Sequence, residues 1–383
     1  MTYKIVPVTS ITIRRPDDFH LHLRDGDTLR AIATLSSDFK RAMVMPNLKP
    51  PITTVEAALS YRNRILEALP SGSDFEPLMT LYLTDETEPE EIARAKDSGF
   101  VKAVKYYPAG ATTNSAAGVS DIKKVYPILE RMQELGVPLL LHGEIPTGDP
   151  FDREQKFIDE VLVQLVADFP ELKIVLEHIT TGQAVAFVKA QGPQVAATIT
   201  PQHLLLNREH MLAGGIRPHL YCMPILKREW HRMAILDAAT SGNSKFFLGT
   251  DSAPHETRTK HAACGCAGCF TAPIALGLYA QAFDSVFALN RLEDFASRFG
   301  AEFYGLPLNE GTITLERNEN PEYTIPASYS FGDVRHNLTE DLSRYGIDSG
   351  GAKNSVVPLF AGEIVKWTCY GLIGNMGNSQ EFT

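Results

Sequence analysis

Short, nearly continuous apolar runs alternate along the chain with longer stretches whose apolar residues recur at helical spacing. The first run, Asp17-Asp18-Phe19-His20-Leu21-His22-Leu23-Arg24-Asp25-Gly26, alternates apolar and polar residues and predicts a strand. Further strands are predicted at 41–47, closed by Pro46-Asn47, and at 77–83, 101–107, 137–142, 172–178, 195–200 and 245–251. Helices are predicted between them at 28–39, 54–69, 89–98 (closed by Gly99), 121–135 (ended by Gly136), 152–168, 181–191 and 228–240. Two more follow at 274–287 and 292–299.

Strands this short and apolar belong in a parallel sheet covered on both faces, and alternation with helices gives an α/β fold. Eight strand–helix units predict a closed (β/α)8 TIM barrel, with a doubly wound open sheet as the rival. Register favours the barrel. His20, His22, Asn47, Lys105, His142, His178 and Asp251 all fall at or near the carboxyl ends of their strands, which form a single rim in a barrel. Length alone suits either two or three domains or one barrel with extensions. The expected division is a barrel over 1–310, opened by a short N-terminal strand, and a C-terminal extension over 311–383. Within the extension, 317–354 is polar and aperiodic and reads as a surface insertion. Val356–Phe360 and Glu363–Trp367 read as a closing segment that packs back on the body, and 371–383 as a frayed end.

Composition narrows the functions. Of 383 residues, 44% are hydrophobic and 21% charged, and the net charge is −10, which disfavours nucleic acid as a partner. No run is long and apolar enough to span a bilayer, so no membrane partner is expected. Met1–Ser10 carries no secretory pattern. The five cysteines, an odd number, suit reduced thiols and a cytoplasmic location. An organelle stays open, since no acidic residue precedes Asp17, and Lys4, Arg14 and Arg15 are basic.

In a strand, residues i and i+2 face the same way, so His20 and His22 form a pair suited to a divalent ion such as zinc, with Arg24 continuing the row. One histidine at a strand end is ordinarily satisfied by a backbone hydrogen bond. Four with an aspartate on one rim form a ligand set. Lys105 does not fit such a set as an ammonium, having no lone pair. Either it lies outside and binds an anionic substrate, or its charge is removed, as reaction with carbon dioxide would do.

At these residues the sequence resembles the bacterial-type dihydroorotases of the amidohydrolase superfamily. The matching motifs are DDFHLHLRDGD (Asp17–Asp27), MPNLKPPITT (Met45–Thr54), KYYPAGATTNS (Lys105–Ser115), LLLHGE (Leu139–Glu144), EHITT (Glu177–Thr181), ATITPQHL (Ala197–Leu204), YCMPILK (Tyr221–Lys227), GTDSAPH (Gly249–His255) and CGCAGCF (Cys264–Phe270). The resemblance implies two zinc ions. His20, His22 and Asp251 would hold one and His142 and His178 the other, with N6-carboxylated Lys105 and a hydroxide bridging them. It implies a substrate carboxylate held by Arg24, Asn47 and His255, with contacts at His22, Leu23, His142, Met223 and Ala267. Thr112 and Thr113 would sit on a mobile loop between Gly110 and Gly118. It further implies Asp251 as the catalytic base and acid, N-carbamoyl-L-aspartate and L-dihydroorotate as the small-molecule substrates of pyrimidine biosynthesis, and a homodimer.

Cys264, Cys266 and Cys269 lack an obvious fourth metal ligand unless His261 supplies it, and the resemblance makes this a substrate-side loop with reduced thiols. His203, His210, His219 and His231 read as structural or surface residues. A hydantoinase or dihydropyrimidinase, or a non-catalytic scaffold, are the rival readings.

Overall fold

Each of the eight apolar runs forms a strand, and the eight lie side by side in chain order, all parallel. The structure, a computed structural model, describes residues 8–318, 324–331 and 354–370. The readings made for Met1–Pro7, for much of 317–354 and for 371–383 lie outside the described residues. The barrel strands are β2 (Asp17–Leu21), β3 (Arg41–Val44), β4 (Glu76–Tyr82), β5 (Val101–Tyr106), β6 (Leu139–Leu141), β7 (Ile174–Leu176), β8 (Val195–Ile199) and β9 (Phe246–Leu248). The sheet closes where Asp251 N donates to His20 O at 2.9 Å and His22 N donates to Ser252 O at 3.1 Å. The closed barrel therefore holds, and the open sheet does not.

Strand parity fills the interior in layers. Phe19, Met43, Leu78, Ala103, Leu140, Val175, Ala196 and Phe247 pack into one cluster. Each large member of it contributes about 2 kcal/mol through apolar area removed from water. Phe299 and Ala301 of the helix Phe299–Tyr304 pack beneath this layer, with Tyr304 stacked on Phe19 at 4.9 Å. Two residues further along the strands, the same face carries Thr80, Lys105, His142, Glu177, Thr198 and Gly249. Polar side chains thus occupy the layer above the apolar one, at the carboxyl ends. Gly249 is required there, because a Cβ would lie 2.7 Å from Thr198 Cβ and 3.1 Å from His20 Cβ.

Three expectations need correction. The first strand ends at Leu21, so Arg24 is not a strand residue continuing the histidine row. It stands beyond the strand with a left-handed φ of 56°. The helix expected over 28–39 runs from Gly26 to Ile32 and tightens to a 3-10 turn over Ala33–Ser36. The helix expected over 121–135 opens as a 3-10 turn at Ile122–Val125 before Tyr126–Leu135.

Outside the barrel, β1 (Ser10–Arg14) pairs antiparallel with β10 (Thr312–Arg317), which pairs with β13 (Trp367–Tyr370). Trp367 is buried in the main core, and Leu359 packs with Cys222 and Cys269. Within 317–354, Tyr329–Phe331 (β11) pairs with Asn354–Val356 (β12), and Phe331 and Val356 pack on Ile32 and Phe270. Those described residues pack against the body.

Candidate metal centre and active site

His20, His22 and Asp251 come together at the seam between β2 and β9. His20 Nε2 and His22 Nε2 are 3.3 Å apart, and Asp251 Oδ1 lies 3.4 Å from the first and 3.1 Å from the second. Three donor atoms this close, all on buried side chains, suit one ion. Asp18 holds the seam. Its carboxylate accepts from His20 N at 3.1 Å, Thr250 N at 2.8 Å and Thr250 Oγ1 at 2.6 Å, while burial pushes its pKa up to about 6.

The second group lies alongside. The His178 ring is 5.0 Å from that of His20 and 4.9 Å from that of His142. Parity points Glu177, not His178, into the barrel. His178 reaches the site because its backbone turns to a φ of 44°, and Asp251 makes the same turn at 45°. His178 Nδ1 is buried without a hydrogen-bond partner among the described residues. His142 Nε2 lies 2.9 Å from Glu144 Oε2, which orients the ring and leaves Nδ1 as the nitrogen for a ligand bond.

Lys105 and Glu177 form a wholly buried ion pair at the floor of the site. Glu177 Oε1 is also 3.0 Å from His20 Nδ1. Burial lowers the basicity of Lys105 against the pull of Glu177 and Asp251. Burial acts to raise Glu177, but His20 and Lys105 beside it hold it below the usual range. Burial likewise acts to raise Asp251, yet His20, His22 and Lys105 bring it down to about 2. Burial lowers His22 to about 4 and His178 well below the ordinary value. These imidazoles are neutral at pH 7, the form that binds a metal. An orphaned ring nitrogen, clustered neutral imidazoles and an ionised carboxylate fit divalent metal ions. Glu177 and Glu144 are site residues that sequence reasoning missed.

The pocket above is partly open to solvent. Besides the metal-suited residues it is lined by Arg24, Asn47, Tyr107, Thr112, Thr113, Met223, Ala253, Ala267 and Gly268. Arg24 Nε donates to Pro254 O at 2.9 Å, and its guanidinium lies 3.1 Å from His255 Nε2. That same nitrogen is 2.9 Å from Ala267 O. Asn47 Nδ2 donates to Thr113 O at 3.2 Å, tying the 109–119 loop to the rim. The pocket wall thus combines a guanidinium, an amide and a threonine loop with the imidazoles. Leu23 stands apart from the pocket lining, with its side chain fully buried in the main core.

The other histidines and the thiols lie outside this cluster. Both ring nitrogens of His203 are engaged, Nδ1 2.7 Å from Thr200 Oγ1 and Nε2 3.0 Å from Pro224 O. His219 and His261 face each other at 3.0 Å. His231 Nδ1 accepts from Gly182 N at 3.1 Å, and His210 belongs to the capping box of the helix Arg208–Leu212. All the cysteines are free, and among the described residues none belongs to a group of side chains able to share an ion.

Comparison with known proteins follows the same lines. A family model described as Amidohydrolase matches residues 75–207. The dihydroorotase of Laribacter hongkongensis (strain HLHK9) is 56% identical over 366 residues, 94% of this chain and 99% of its own. A crystal structure of dihydroorotase from Campylobacter jejuni superposes with a TM-score of 0.82 at 36% identity, covering 96% of this chain and 99% of that one. The Saccharomyces cerevisiae dihydroorotase in complex with 5-fluoroorotic acid superposes with a TM-score of 0.81 at 32% identity, covering 95% and 99%.

Proposed function

This chain belongs to the dihydroorotase family of amidohydrolases, and from that premise we propose how its residues interconvert L-dihydroorotate and N-carbamoyl-L-aspartate, a step of pyrimidine biosynthesis. The observation that carries the reading is the pairing, in one pocket, of a ligand set for metals with an arginine–asparagine cluster for a carboxylate.

His20, His22 and Asp251 would hold one zinc ion and His142 and His178 a second, with Lys105, carboxylated on Nζ, shared between them. When bound, the metals supply a nucleophile at neutral pH and polarise the ring amide carbonyl. Carboxylation of Lys105 joins its neutral amine to carbon dioxide and releases one proton, for which Glu177 is the adjacent acceptor. Weakened basicity through burial supports that step.

Arg24 pairs with the substrate carboxylate in the bidentate manner of a guanidinium, assisted by Asn47 and His255. Contacts at His22, His142, Met223 and Ala267 complete the binding role. Thr112 and Thr113 close over the ligand and limit water. Asp251 accepts the proton of the attacking water and delivers it to the ring nitrogen as the C–N bond breaks. In the cyclising direction it takes the proton from the carbamoyl nitrogen and gives it to the departing oxygen.

A hydantoinase or dihydropyrimidinase acts on rings without a carboxylate and has no use for Arg24 at this position. A scaffold would not need a complete ligand set. The same reading includes the division 1–310 and 311–383, a homodimer and a cytoplasmic location. The free thiols support a reducing compartment, and no helix among the described residues is long and apolar enough to cross a membrane. Turnover of L-dihydroorotate by the purified, zinc-loaded chain tests the proposal. Arg24→Met separates it from its enzymatic rivals by raising KM for dihydroorotate about 100-fold, as loss of a charge-assisted pair does.

A further inference from the structure

We propose that Lys260 is a positioning residue of the carboxylate subsite, holding three backbone carbonyls so that the Ala267 N–H is presented to the ligand. The inference rests on the dihydroorotase reading above. Lys260 ends the short helix Thr257–Lys260 and is only 2% exposed. Its Nζ donates to Tyr221 O at 2.9 Å, Cys266 O at 2.9 Å and Gly268 O at 2.8 Å. An ammonium carries three hydrogens, so these carbonyls use all of them. A buried charge is strongly disfavoured unless it is satisfied in this way, and such placement needs a reason.

The three carbonyls come from two segments that both reach the pocket. One carries Met223 and the other Ala267 and Gly268. The segments are joined directly where Gly268 N donates to Tyr221 O at 2.9 Å. In a planar trans peptide the C=O and the following N–H point in opposite directions. Drawing Cys266 O toward Lys260 therefore turns the Ala267 N–H away from it, and Ala267 lines the pocket. Among the described residues this N–H has no acceptor, whereas the carbonyl of the same residue is engaged by His255 Nε2 at 2.9 Å and Thr113 Oγ1 at 3.4 Å. Gly268 lets the segment pass this closely. Its φ is +150°, and a Cβ would meet Ala253 O at 2.5 Å and His255 Cδ2 at 2.9 Å.

Charge points the same way. Arg24 and Lys260 are near enough to oppose one another's charge, and both add to burial, the larger cause, in bringing His255 down to about 2. The partners of Lys260 are carbonyls rather than a carboxylate, so its field is not cancelled locally and favours an anion in the adjoining pocket. Lys260 reaches the ligand only through the peptide it holds.

The test uses the full-length, zinc-loaded chain with Lys260→Met and Lys260→Gln. The readouts are KM and kcat for L-dihydroorotate, the inhibition constant of orotate, zinc content and the thermal midpoint. The expected result for Lys260→Met is a KM and an orotate inhibition constant both raised about 10-fold, with kcat within about 3-fold of wild type and zinc content unchanged. Lys260→Gln keeps two donors and is expected to fall between Lys260→Met and wild type, and it carries the comparison if the Met variant does not fold. Unchanged KM in a folded variant overturns the inference and leaves the dihydroorotase reading intact. So does a parallel fall in kcat, zinc content and thermal midpoint, which marks a merely structural lysine. A wild-type chain that does not turn over dihydroorotate overturns both.

Discussion

His22 Nε2 lies 3.1 Å from Asp251 Oδ1, across the seam where the first and last strands of the barrel meet. In the mechanism proposed above, Asp251 serves both as a metal ligand and as the proton carrier. Asp251→Asn keeps the shape and removes the charge. The expected outcome is a fall in kcat of at least about 1000-fold in steady-state assays, since general acid–base transfer and a ligand are lost together. The far-ultraviolet circular dichroism spectrum should be unchanged. Activity within 10-fold of wild type, roughly the scale of one ordinary hydrogen bond, would remove Asp251 from the mechanism.

Asp18 sets that seam. Its carboxylate accepts from two backbone N–H groups and one hydroxyl, all buried. Asp18→Ala leaves these donors without their acceptor and should destabilise the protein by about 3 kcal/mol in denaturant unfolding. Zinc affinity should fall with it, since His20 and Thr250–Asp251 are fixed by the same group. Stability unchanged in the variant would contradict this role.

In the proposed site an unmodified Lys105 ammonium would work against metal binding. Intact mass spectrometry under mild conditions should show one added carboxyl group on the active, zinc-loaded chain. Lys105→Ala should lose bound zinc and at least about 1000-fold in kcat, the scale on which metal-assisted catalysis operates. Full activity with an unmodified amine would refute the bridging role.

Acid should destabilise the metal-free protein. Burial lowers His22 and His203 to about 4 and His255 to about 2. Between these values and the unfolded value near 6.5, the unfolded chain binds protons that the folded chain does not. Stability therefore rises with pH through this window, is complete above it and is lost on acidification. Asp18 and Asp38, raised to about 6, act in the opposite sense as pH falls from about 6 toward their ordinary 3.8. The histidines outnumber them and titrate first. The thermal midpoint of metal-free protein should fall from roughly pH 7.5 to pH 5.5. A midpoint that is flat or rises over that range would contradict the buried, neutral imidazoles.

The barrel was legible because strands buried on both faces are continuously apolar, and each run broke at the residue that reaches the rim. Asn47, Lys105, His142 and Asp251 could be read at those breaks. Glu177 could not. In the run Leu172–His178 the histidine drew attention as a ligand type, yet strand parity gives the inward position to Glu177, and His178 enters only through a left-handed turn that no pattern announces. Glu144 was hidden for a related reason, since it lies past the end of β6 and acts on His142 rather than on a ligand. Arg24 was placed correctly at the rim but by the wrong route, because alternation continued beyond the point where the backbone leaves the sheet. The β1–β10–β13 sheet joins the two ends of the chain, and no local periodicity encodes a pairing that distant.

The central claim is that the converging imidazoles and acid groups hold metals which perform ring opening. Zinc titration of the chelator-stripped chain, with turnover of L-dihydroorotate followed at each addition, tests it most directly. The account predicts no turnover without metal and activity that rises with zinc until two equivalents are bound per chain. Full turnover in the stripped protein, or activity that does not follow bound zinc, would contradict it.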